Sequence, residues 1–533
     1  MRLGASSRPR PRRASIFPES DRVDRFYVTT PIYYINAEPH LGHTYSTVIA
    51  DTLARFHRFR RDRTFFTTGT DEHGDKVAAA AAAAGLEPRA YADRVSGIFR
   101  DTWDQCGFRY DHFVRTTDEY HVRTVQEFLS RIHAQGDIYF SRYGGLYCTG
   151  CERFYTEREL VGGNCPDHLT PPSFIEEENY FFRMTKYQER WIAYLDAHPD
   201  TIMPERYRNE ILSILRSGAL PDLCISRPKS RLQWGIELPF DRDYVTYVWW
   251  DALINYISAL KAHGDETFEA MWPVAHHVMA KDILKPHGIF WPTMLMALGL
   301  PLFKQLLVHG YWVRGESKMS KSLGNVIRPL DIKARYGLDG LRYFLLREMA
   351  FGQDAVFSED AFITRFNADL ANNLGNLVSR TLSMQQRYFE GTVQPLGTST
   401  ADDDALQAAF AEAYREAPRL TEEMAFHRAL EALWRAIDQA NKYVVVTAPF
   451  TLAKDPAQRP RVGAILHHLL EALRAAALLL TWSLPETSAR IFELLGLEPA
   501  ATLPADLAWG RNFAAGHRTQ PPVILFPRIE TTA

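Results

Sequence analysis

The chain has 533 residues, of which 46% are hydrophobic and 23% charged, with a formal net charge of -3. This length exceeds what one hydrophobic core serves, so we expect two or three globular domains. The balanced charge excludes a uniformly basic nucleic-acid-binding protein, and no apolar run in the sequence approaches the roughly 20 residues that cross a bilayer. The five cysteines are too few for a disulfide scaffold, which indicates a reducing compartment.

Residues 1–24 form an N-terminal extension that is rich in arginine and serine. Disordered basic arms and organellar transit peptides share this composition. We favour a disordered arm and a cytoplasmic location. A transit peptide would instead indicate a mitochondrion or a plastid.

Strand and helix signals then alternate. Residues 26–30 are rich in β-forming side chains, and apolar residues recur at helical spacing over 43–60. A second strand over 63–68 precedes a helix over 76–84. This alternation predicts a Rossmann-like parallel sheet with ligands bound beyond the carboxyl ends of its strands.

A stretch that bears glycine, proline and cysteine interrupts this pattern, and short apolar strands at 277–280 and 306–312 resume it. Amphipathic helical patterns dominate the rest of the chain. The fold class is therefore α/β, a parallel-sheet domain split by an insertion, followed by an all-α bundle. The expected boundaries are 25–116 and 226–325 for the sheet domain, 117–225 for the insertion, 326–360 for a linking stem-contact segment, and 361–533 for the helical domain with its tail.

The first chemical motif is Pro39-His40-Leu41-Gly42-His43, at a predicted turn from strand to helix. A helix N-terminus offers backbone N–H groups and partial positive charge, which suit a phosphate. His40 and His43 are three residues apart and so face the same way, and Gly42 allows a ligand to approach the backbone closely. Histidines at such a position are also common as solvated or capping residues.

The second motif is Lys318-Met319-Ser320-Lys321-Ser322, in a polar loop that follows an apolar strand. Two lysines three residues apart form a cationic clamp that can neutralise charge developing on a triphosphate. The simpler interpretation is a solvated lysine loop. The pairing with the histidine motif favours the clamp.

The third motif joins Cys148 and Cys151 to Cys165 and His168. Two ligand pairs with knuckle-like spacing supply three thiolates and one imidazole, which fits one closed, tetrahedral, structural zinc site. Buried cysteines beside an unrelated histidine are the alternative.

The first two motifs resemble the signatures of the class I aminoacyl-tRNA synthetases, and within that class the sequence is most similar to the methionyl-tRNA synthetase family. The resemblance runs from about residue 25 to 530. Besides the two signatures, the stretches that carry it are residues 29–36, 69–74, 247–252 and 281–284. It implies a methionine–tRNA ligase that forms methionyl-adenylate from methionine and ATP and then charges the 3′ end of tRNA.

The resemblance also implies site residues. His40, His43, Lys318 and Lys321 would be catalytic, with Mg²⁺ accompanying ATP. The methionine pocket would comprise Ile32, Tyr34, Asp71, Trp249, Ala252, Leu253, Tyr256, Ile283 and His287. ATP would contact His40, His43, Glu237, Asp282 and Lys321. Taken without the family, Trp249 and Tyr256 are two turns of one helix apart and would be core residues.

Asn372, Asn376, Arg380 and Phe450 would contact the tRNA anticodon. Phe450 replaces the tryptophan that the family usually has there, and a buried core position is its alternative. A second departure is Ala280, which stands where the family usually has glycine.

The zinc module would position the tRNA acceptor end. We expect a monomer, because the chain ends soon after the bundle. Two other functions stay open at this point: another class I adenylating synthetase, and a tRNA-binding or amino-acid-sensing relative without turnover.

Overall fold

The computed structural model describes residues 24–148, 153–155, 157–166, 169–218, 220–314, 317–318 and 327–530. Its strands are β1 (Arg25–Tyr34), β2 (Arg63–Asp71), β3 (His112–Arg115), β4 (Ile138–Cys148), β5 (Arg153–Tyr155), β6 (Ser173–Phe182), β7 (Ile202–Met203), β8 (Leu223–Cys224), β9 (Ser226–Pro228), β10 (Glu237–Leu238), β11 (Asp241–Thr246), β12 (Ala275–Ala280), β13 (Gln305–His309), β14 (Trp312–Arg314), β15 (Ser317–Lys318) and β16 (Ala355–Val356).

The helices are α1 (Leu41–Phe59), α2 (Asp75–Ala83), α3 (Pro88–Gln105), α4 (Glu119–Ala134), α5 (Gln188–Ala197), α6 (Glu205–Arg216), α7 (Val248–Leu253), α8 (Asn255–Lys261), α9 (Asp265–Met271), α10 (Trp291–Leu298), α11 (Pro329–Tyr336), α12 (Leu338–Glu348), α13 (Glu359–Arg365), α14 (Asn376–Phe389), α15 (Ala401–Glu422), α16 (Phe426–Thr447), α17 (Pro449–Leu452), α18 (Arg459–Leu480) and α19 (Pro485–Leu495). Two π-helical segments, Pro286–Phe290 and Phe366–Gly375, precede α10 and α14.

The main sheet has six strands in the order β3-β2-β1-β12-β13-β7, and all its neighbours are parallel. The chain runs outward from β1 through β2 to β3 on one side, and from β12 to β13 on the other. The boundary between β1 and β12 is therefore a switch point, where the carboxyl ends of parallel strands form a ligand crevice. The predicted parallel, Rossmann-like sheet is confirmed.

Two details of this sheet differ from the sequence interpretation. The edge strand β7 comes from within the predicted insertion 117–225 and pairs with β13. The strand predicted over 306–312 is two strands, β13 and β14, which are interrupted at Gly310. A Cβ at Gly310 would lie 2.1 Å from the carbonyl oxygen of Gln353, so the close approach of these two backbone segments requires glycine.

Smaller sheets surround the main one. β4, β5, β6 and β8 form an antiparallel sheet within the predicted insertion, β9, β10 and β11 form a second, and β14, β15 and β16 form a third. β4 and β6 pair over the full stretch from Ile138 to Tyr147, which gives the insertion a long ribbon. The ribbon ends at Cys148, one of the predicted zinc ligands.

The C-terminal domain is helical, and α18 is its central helix. It contacts α14, α15, α16, α17 and α19. The segment Pro456–Leu480 is long and apolar enough to cross a membrane, but its most apolar stretch is wholly buried inside the protein. The expectation that no such run exists was wrong. The sequence interpretation overlooked this segment, which the structure shows to be the core of the bundle.

A buried ion pair joins the sheet domain to the helical domain. Arg342 on α12 donates to the Asp51 carboxylate of α1 at 2.6 Å, and both side chains are fully buried. The same guanidinium donates to Thr52 Oγ1 at 3.0 Å and to the carbonyl oxygens of Trp482 and Ser483 at 3.1 and 2.7 Å. One side chain therefore connects α1 to the turn between α18 and α19.

Candidate active site

His40 and His43 lie at the N-terminus of α1, beyond the end of β1. The Nδ1 atom of His40 accepts from the backbone N–H of Gly42 at 3.1 Å, and the backbone N–H of His40 is 3.4 Å from Nδ1 of His43. The two rings stack with centroids 3.7 Å apart. A Cβ at position 42 would lie 3.0 Å from the His40 ring, so glycine permits this close packing.

This geometry decides where the histidine hydrogens lie. A ring nitrogen that accepts from a backbone N–H carries no hydrogen in the neutral ring, so the hydrogen of each imidazole is on Nε2. Both rings thus cap the helix with Nδ1 and direct their donors elsewhere. Capping, the simple interpretation of these residues, is observed, and the helix N-terminus that they cap is suited to an anion.

The first wall of the predicted methionine pocket is formed by the ends of β1 and β2. Tyr34 pairs with Asp71 in the strand register, and Ile32 pairs with Gly69. Asp71 is buried, and the hydroxyl of Tyr34 donates to the carbonyl oxygen of His73 at 2.9 Å. The sheet therefore places a carboxylate and two apolar side chains at one edge of the crevice.

The second wall is formed by α7, α8 and the π-helical segment. Trp249 and Tyr256 do not share a continuous helix, because α7 ends at Leu253 and α8 begins at Asn255. The sequence interpretation of one helix was wrong here. Ala252, Leu253 and Tyr256 are buried, whereas Trp249 is half-buried and lies edge-on to His287 with ring centroids 6.3 Å apart.

Tyr256 and His287 form a defined hydrogen bond in this wall. His287 Nδ1 lies 2.8 Å from the carbonyl oxygen of Ile283 and therefore carries the hydrogen, so Nε2 accepts from the Tyr256 hydroxyl at 2.7 Å. Burial lowers the pKa of His287 to about 4, so the ring is neutral at physiological pH. The aromatic side chains of this wall are thus uncharged, which suits a thioether.

The predicted ATP contacts are spread over three elements. His40 and His43 begin α1, Asp282 is exposed just after β12, and Glu237 lies in the separate β9-β10-β11 sheet. Glu237 is exposed and pairs with Lys229 at 2.5 Å, a hydrogen bond that lowers its pKa. Beside Asp282, Lys281 pairs with Asp354 at 2.6 Å.

The lysine motif is described only at its start. Lys318 lies on β15, and its backbone pairs with Val313 of β14. Lys321 lies outside the described residues. The strand that leads into the motif, β14, begins three positions after the end of β13. The last residue of β13 is His309, whose Nδ1 donates to the carbonyl oxygen of Gly310, so its Nε2 accepts a 2.7 Å hydrogen bond from the hydroxyl of Ser46 on α1.

Two of the predicted zinc ligands are described. Cys148 at the end of β4 and Cys165 are buried in one small cluster with Tyr155 and Leu160. The carbonyl oxygen of Cys165 accepts from the N–H of Leu169 at 2.8 Å. Cys151 and His168 lie outside the described residues, and among the residues with assigned positions no group of three metal ligands occurs.

The predicted anticodon residues occupy the helical domain. Asn372 lies in the π-helical segment, and Asn376 begins α14, so no regular α-helix joins them. Both are exposed, and Arg380 is half-buried. Phe450 on α17 is 48% exposed, which excludes its alternative as a core residue.

Sequence reasoning missed one group at the site. His73, His121 and Asp251 form a buried hydrogen-bonded set beneath the pocket walls. His73 and Asp251 belong to stretches that carried the family resemblance, but they received no role. No sequence signal links His121 to them, because the contact joins residues 130 positions apart.

The chain is similar to known proteins over nearly its whole length. The family model described as tRNA synthetases class I (M) matches residues 26–171 and 168–382. The methionine–tRNA ligase of Caldanaerobacter subterraneus subsp. tengcongensis is 44% identical over 95% of this chain and 79% of the relative. That of Deinococcus radiodurans is 42% identical over 97% of this chain and 76% of the relative.

Solved structures agree with these relatives. The Mycobacterium tuberculosis methionyl-tRNA synthetase in complex with methionyl-adenylate has a TM-score of 0.90 and 41% identity, covering 95% of this chain and 100% of that chain. Its apo form has a TM-score of 0.83 and 37% identity, covering 96% of this chain and 99% of that chain. The chain therefore belongs to the methionyl-tRNA synthetase family, the ATP-dependent ligases that join methionine to tRNA.

Proposed function

We propose that methionine binds between the two walls described above, with its ammonium on Asp71 and its thioether among Trp249, Tyr256 and His287. Ile32, Tyr34, Ala252, Leu253 and Ile283 complete the pocket. The observation that carries this proposal is the buried carboxylate of Asp71 at the end of β2, opposite the uncharged aromatic side chains of Trp249, Tyr256 and His287. A buried carboxylate holds an α-ammonium, and aromatic edges attract a polarizable sulfur.

ATP takes the adjacent part of the crevice, at the N-terminus of α1. The Nε2–H groups of His40 and His43 donate to phosphate oxygens there, together with the partial positive charge of the helix. Lys318 and Lys321 neutralise the charge that develops as pyrophosphate departs, and Mg²⁺ bound with ATP would add further positive charge there. Asp282 and Glu237 serve the ribose and adenine side. Both carboxylates are exposed, and Glu237 differs from Asp282 in lying on a separate sheet.

The reaction depends on the positioning of the substrates and on stabilisation of the phosphate charge more than on a general base. The methionine carboxylate is already ionised, so it attacks the α-phosphorus of ATP without a general base, and methionyl-adenylate and pyrophosphate result. The terminal ribose hydroxyl of tRNA then attacks the carbonyl carbon, and AMP leaves. Holding the carboxylate in line with the α-phosphorus supplies much of the rate enhancement for the first step.

We also propose that Cys148, Cys151, Cys165 and His168 hold one zinc ion. Cys148 and Cys165 fit this role because both thiols are buried in one cluster, whose apolar members among the described residues are Tyr155 and Leu160. A module with so small a core gains its stability from a metal bound by four ligands. The zinc would be structural, and the module would orient the tRNA acceptor end.

Asn372, Asn376, Arg380 and Phe450 are proposed to bind the anticodon. Asn372, Asn376 and Phe450 are exposed on the helical domain, and Arg380 is partly exposed. Amide and guanidinium donors at such positions can reach base edges, and a phenyl ring can stack on a base. A monomeric state and a cytoplasmic location stay predictions.

Pyrophosphate exchange into ATP, with each of the twenty amino acids offered in turn and without tRNA, tests the substrate assignment. We expect methionine to support the fastest exchange. Asp71→Asn should raise KM for methionine about 100-fold, because a charge-assisted contact to the ammonium is lost. The matched control is Asp403→Asn, which removes a buried carboxylate that binds Arg461 and Tyr443 in the bundle. An unchanged KM in Asp71→Asn would refute the pocket assignment.

A further inference from the structure

Asp251 is a fully buried carboxylate that lies between two histidines. Its Oδ2 atom is 2.6 Å from Nδ1 of His73, and its Oδ1 atom is 2.7 Å from Nε2 of His121. The other ring nitrogen of His121, Nδ1, is 2.8 Å from the hydroxyl of Ser258. Burial opposes ionisation of Asp251, but the two histidines outweigh it and hold its pKa below the usual range. Both carboxylate oxygens therefore accept N–H bonds from the histidines.

These four residues come from four different parts of the fold. His73 follows β2 and is two residues beyond Asp71. Asp251 lies on α7, between Trp249 and Ala252, and Ser258 lies on α8, two residues beyond Tyr256. His121 belongs to α4, which packs against α8. The network thus connects the carboxylate wall of the methionine pocket to its aromatic wall.

The hydrogen bonds also fix the orientation of each ring. An ionised Asp251 is acceptor-only, so His73 must carry a hydrogen on Nδ1 and His121 on Nε2. A flip of either ring would leave a carboxylate oxygen unsatisfied in a buried place, which is costly. The hydroxyl of Tyr34 donates to the His73 carbonyl oxygen at 2.9 Å, which extends the connection back to β1.

We propose that His73, Asp251, His121 and Ser258 form a positioning network that sets the width of the methionine pocket and thereby its preference for the methionine side chain. The proposal rests on the pocket assigned above. The four residues act through Asp71, Trp249 and Tyr256. A loss of the network lets the two walls separate, which weakens methionine binding and admits a longer side chain.

His121 offers the sharpest test, because it lies on α4, outside the proposed pocket. His121→Leu removes both hydrogen bonds. His121→Gln keeps an N–H donor at the same number of bonds from the backbone as Nε2, so it can still reach Asp251. We expect His121→Leu to raise KM for methionine about ten-fold in pyrophosphate exchange, with KM for ATP changed less than about two-fold, and His121→Gln to restore most of the loss.

A second readout separates positioning from general destabilisation. Ethionine is longer than methionine by one methylene group, and a well-fitted pocket discriminates such a difference by about ten-fold or more. In His121→Leu the ratio of kcat/KM for methionine to that for ethionine should fall at least about three-fold. A merely unstable enzyme loses active molecules, which lowers kcat for both substrates and leaves KM and the ratio unchanged. Asp403→Asn is the control for this case, and we expect it to leave KM for methionine and the methionine-to-ethionine ratio unchanged.

If His121→Leu folds and both the methionine KM and the ethionine ratio equal those of the wild type, the positioning network is refuted. If His121→Leu does not fold, Ser258→Ala is tested in its place. This variant removes one hydroxyl and should raise KM for methionine about two- to three-fold. An unchanged KM in Ser258→Ala then refutes the network. If instead the pocket assignment is wrong, KM for methionine is unchanged in Asp71→Asn, which distinguishes the two failures.

Discussion

Removing the charge of Asp51 should destabilise the protein by about 3 kcal/mol. In Asp51→Asn the fully buried Arg342 loses its carboxylate partner at 2.6 Å, and breaking a buried pair typically costs about 3–5 kcal/mol. Arg342 keeps its hydrogen bonds to Thr52 and to the carbonyl oxygens of Trp482 and Ser483. Asp51 also accepts from Nε of Arg55 at 2.7 Å and from the backbone N–H of Arg109 at 2.9 Å, and an asparagine has only one oxygen for all these donors. We therefore expect a loss that reaches at least the lower end of that range.

Thermal unfolding followed by circular dichroism measures the effect. A loss of about 3 kcal/mol corresponds to a fall in Tm of roughly 6–12 °C for a domain of this size. The control is Glu119→Gln, which breaks the exposed pair of Glu119 with Arg123 on α4 and should change Tm by less than about 1 °C. An Asp51→Asn protein that melts within about 1 °C of the wild type would refute the reasoning.

At low pH the stabilisation that the ionised Asp51 carboxylate provides is lost. Burial raises the pKa of Asp51, but Arg342 and Arg55 outweigh burial and hold it below its usual value. A carboxyl whose pKa is depressed on folding stabilises the protein fully above its unfolded pKa of about 3.9 and loses this effect as pH falls through the folded value. The stability difference between wild type and Asp51→Asn should therefore be constant near neutral pH and shrink only below about pH 4.

Three further predictions concern the proposed sites. Lys321→Ala should lower kcat of pyrophosphate exchange by about 100-fold with nearly unchanged methionine binding, and an unaltered kcat would remove this lysine from the mechanism. The purified protein should contain one zinc ion by metal analysis, and Cys148→Ser should lose it and impair tRNA charging more than adenylate formation. Metal-free protein of full charging activity would contradict this. Phe450→Ala should raise KM for tRNA about ten-fold and Phe450→Trp should preserve it, since stacking on a base contributes about 1–3 kcal/mol. If Phe450→Ala leaves that KM unchanged, the ring does not stack on the anticodon.

Local sequence patterns were sufficient for the family and the parallel sheet. The motifs around His40 and Lys318 are contiguous, and each follows an apolar strand, so their chemistry and their place in the sheet could be inferred from neighbours in sequence. The confirmed family and function rest on these motifs. The assignments of the zinc, ATP, methionine and anticodon residues also come from local motifs, and they stay predictions.

Long-range contacts were not accessible in this way. His73 and Asp251 are 178 positions apart, and nothing in the sequence near either residue indicates that they meet. The break between α7 and α8 was missed because apolar spacing continues across Ile254, although the N–H of Ile254 bonds to the carbonyl oxygen of Asp251, three residues back, as in a tight turn. The edge strand β7 has two residues, which is too short for a periodicity signal.

The central position of α18 has a consequence for biosynthesis. Helices α14 to α17 pack against α18 but precede it in the chain, so they leave the ribosome first. Until α18 follows, the apolar faces that will contact it are exposed to water. Apolar surface that is exposed in this way promotes aggregation and chaperone binding until its partner is available. The bundle can therefore close only after about residue 480 has been synthesised, whereas the first strands and helices of the α/β domain can begin to pair much earlier.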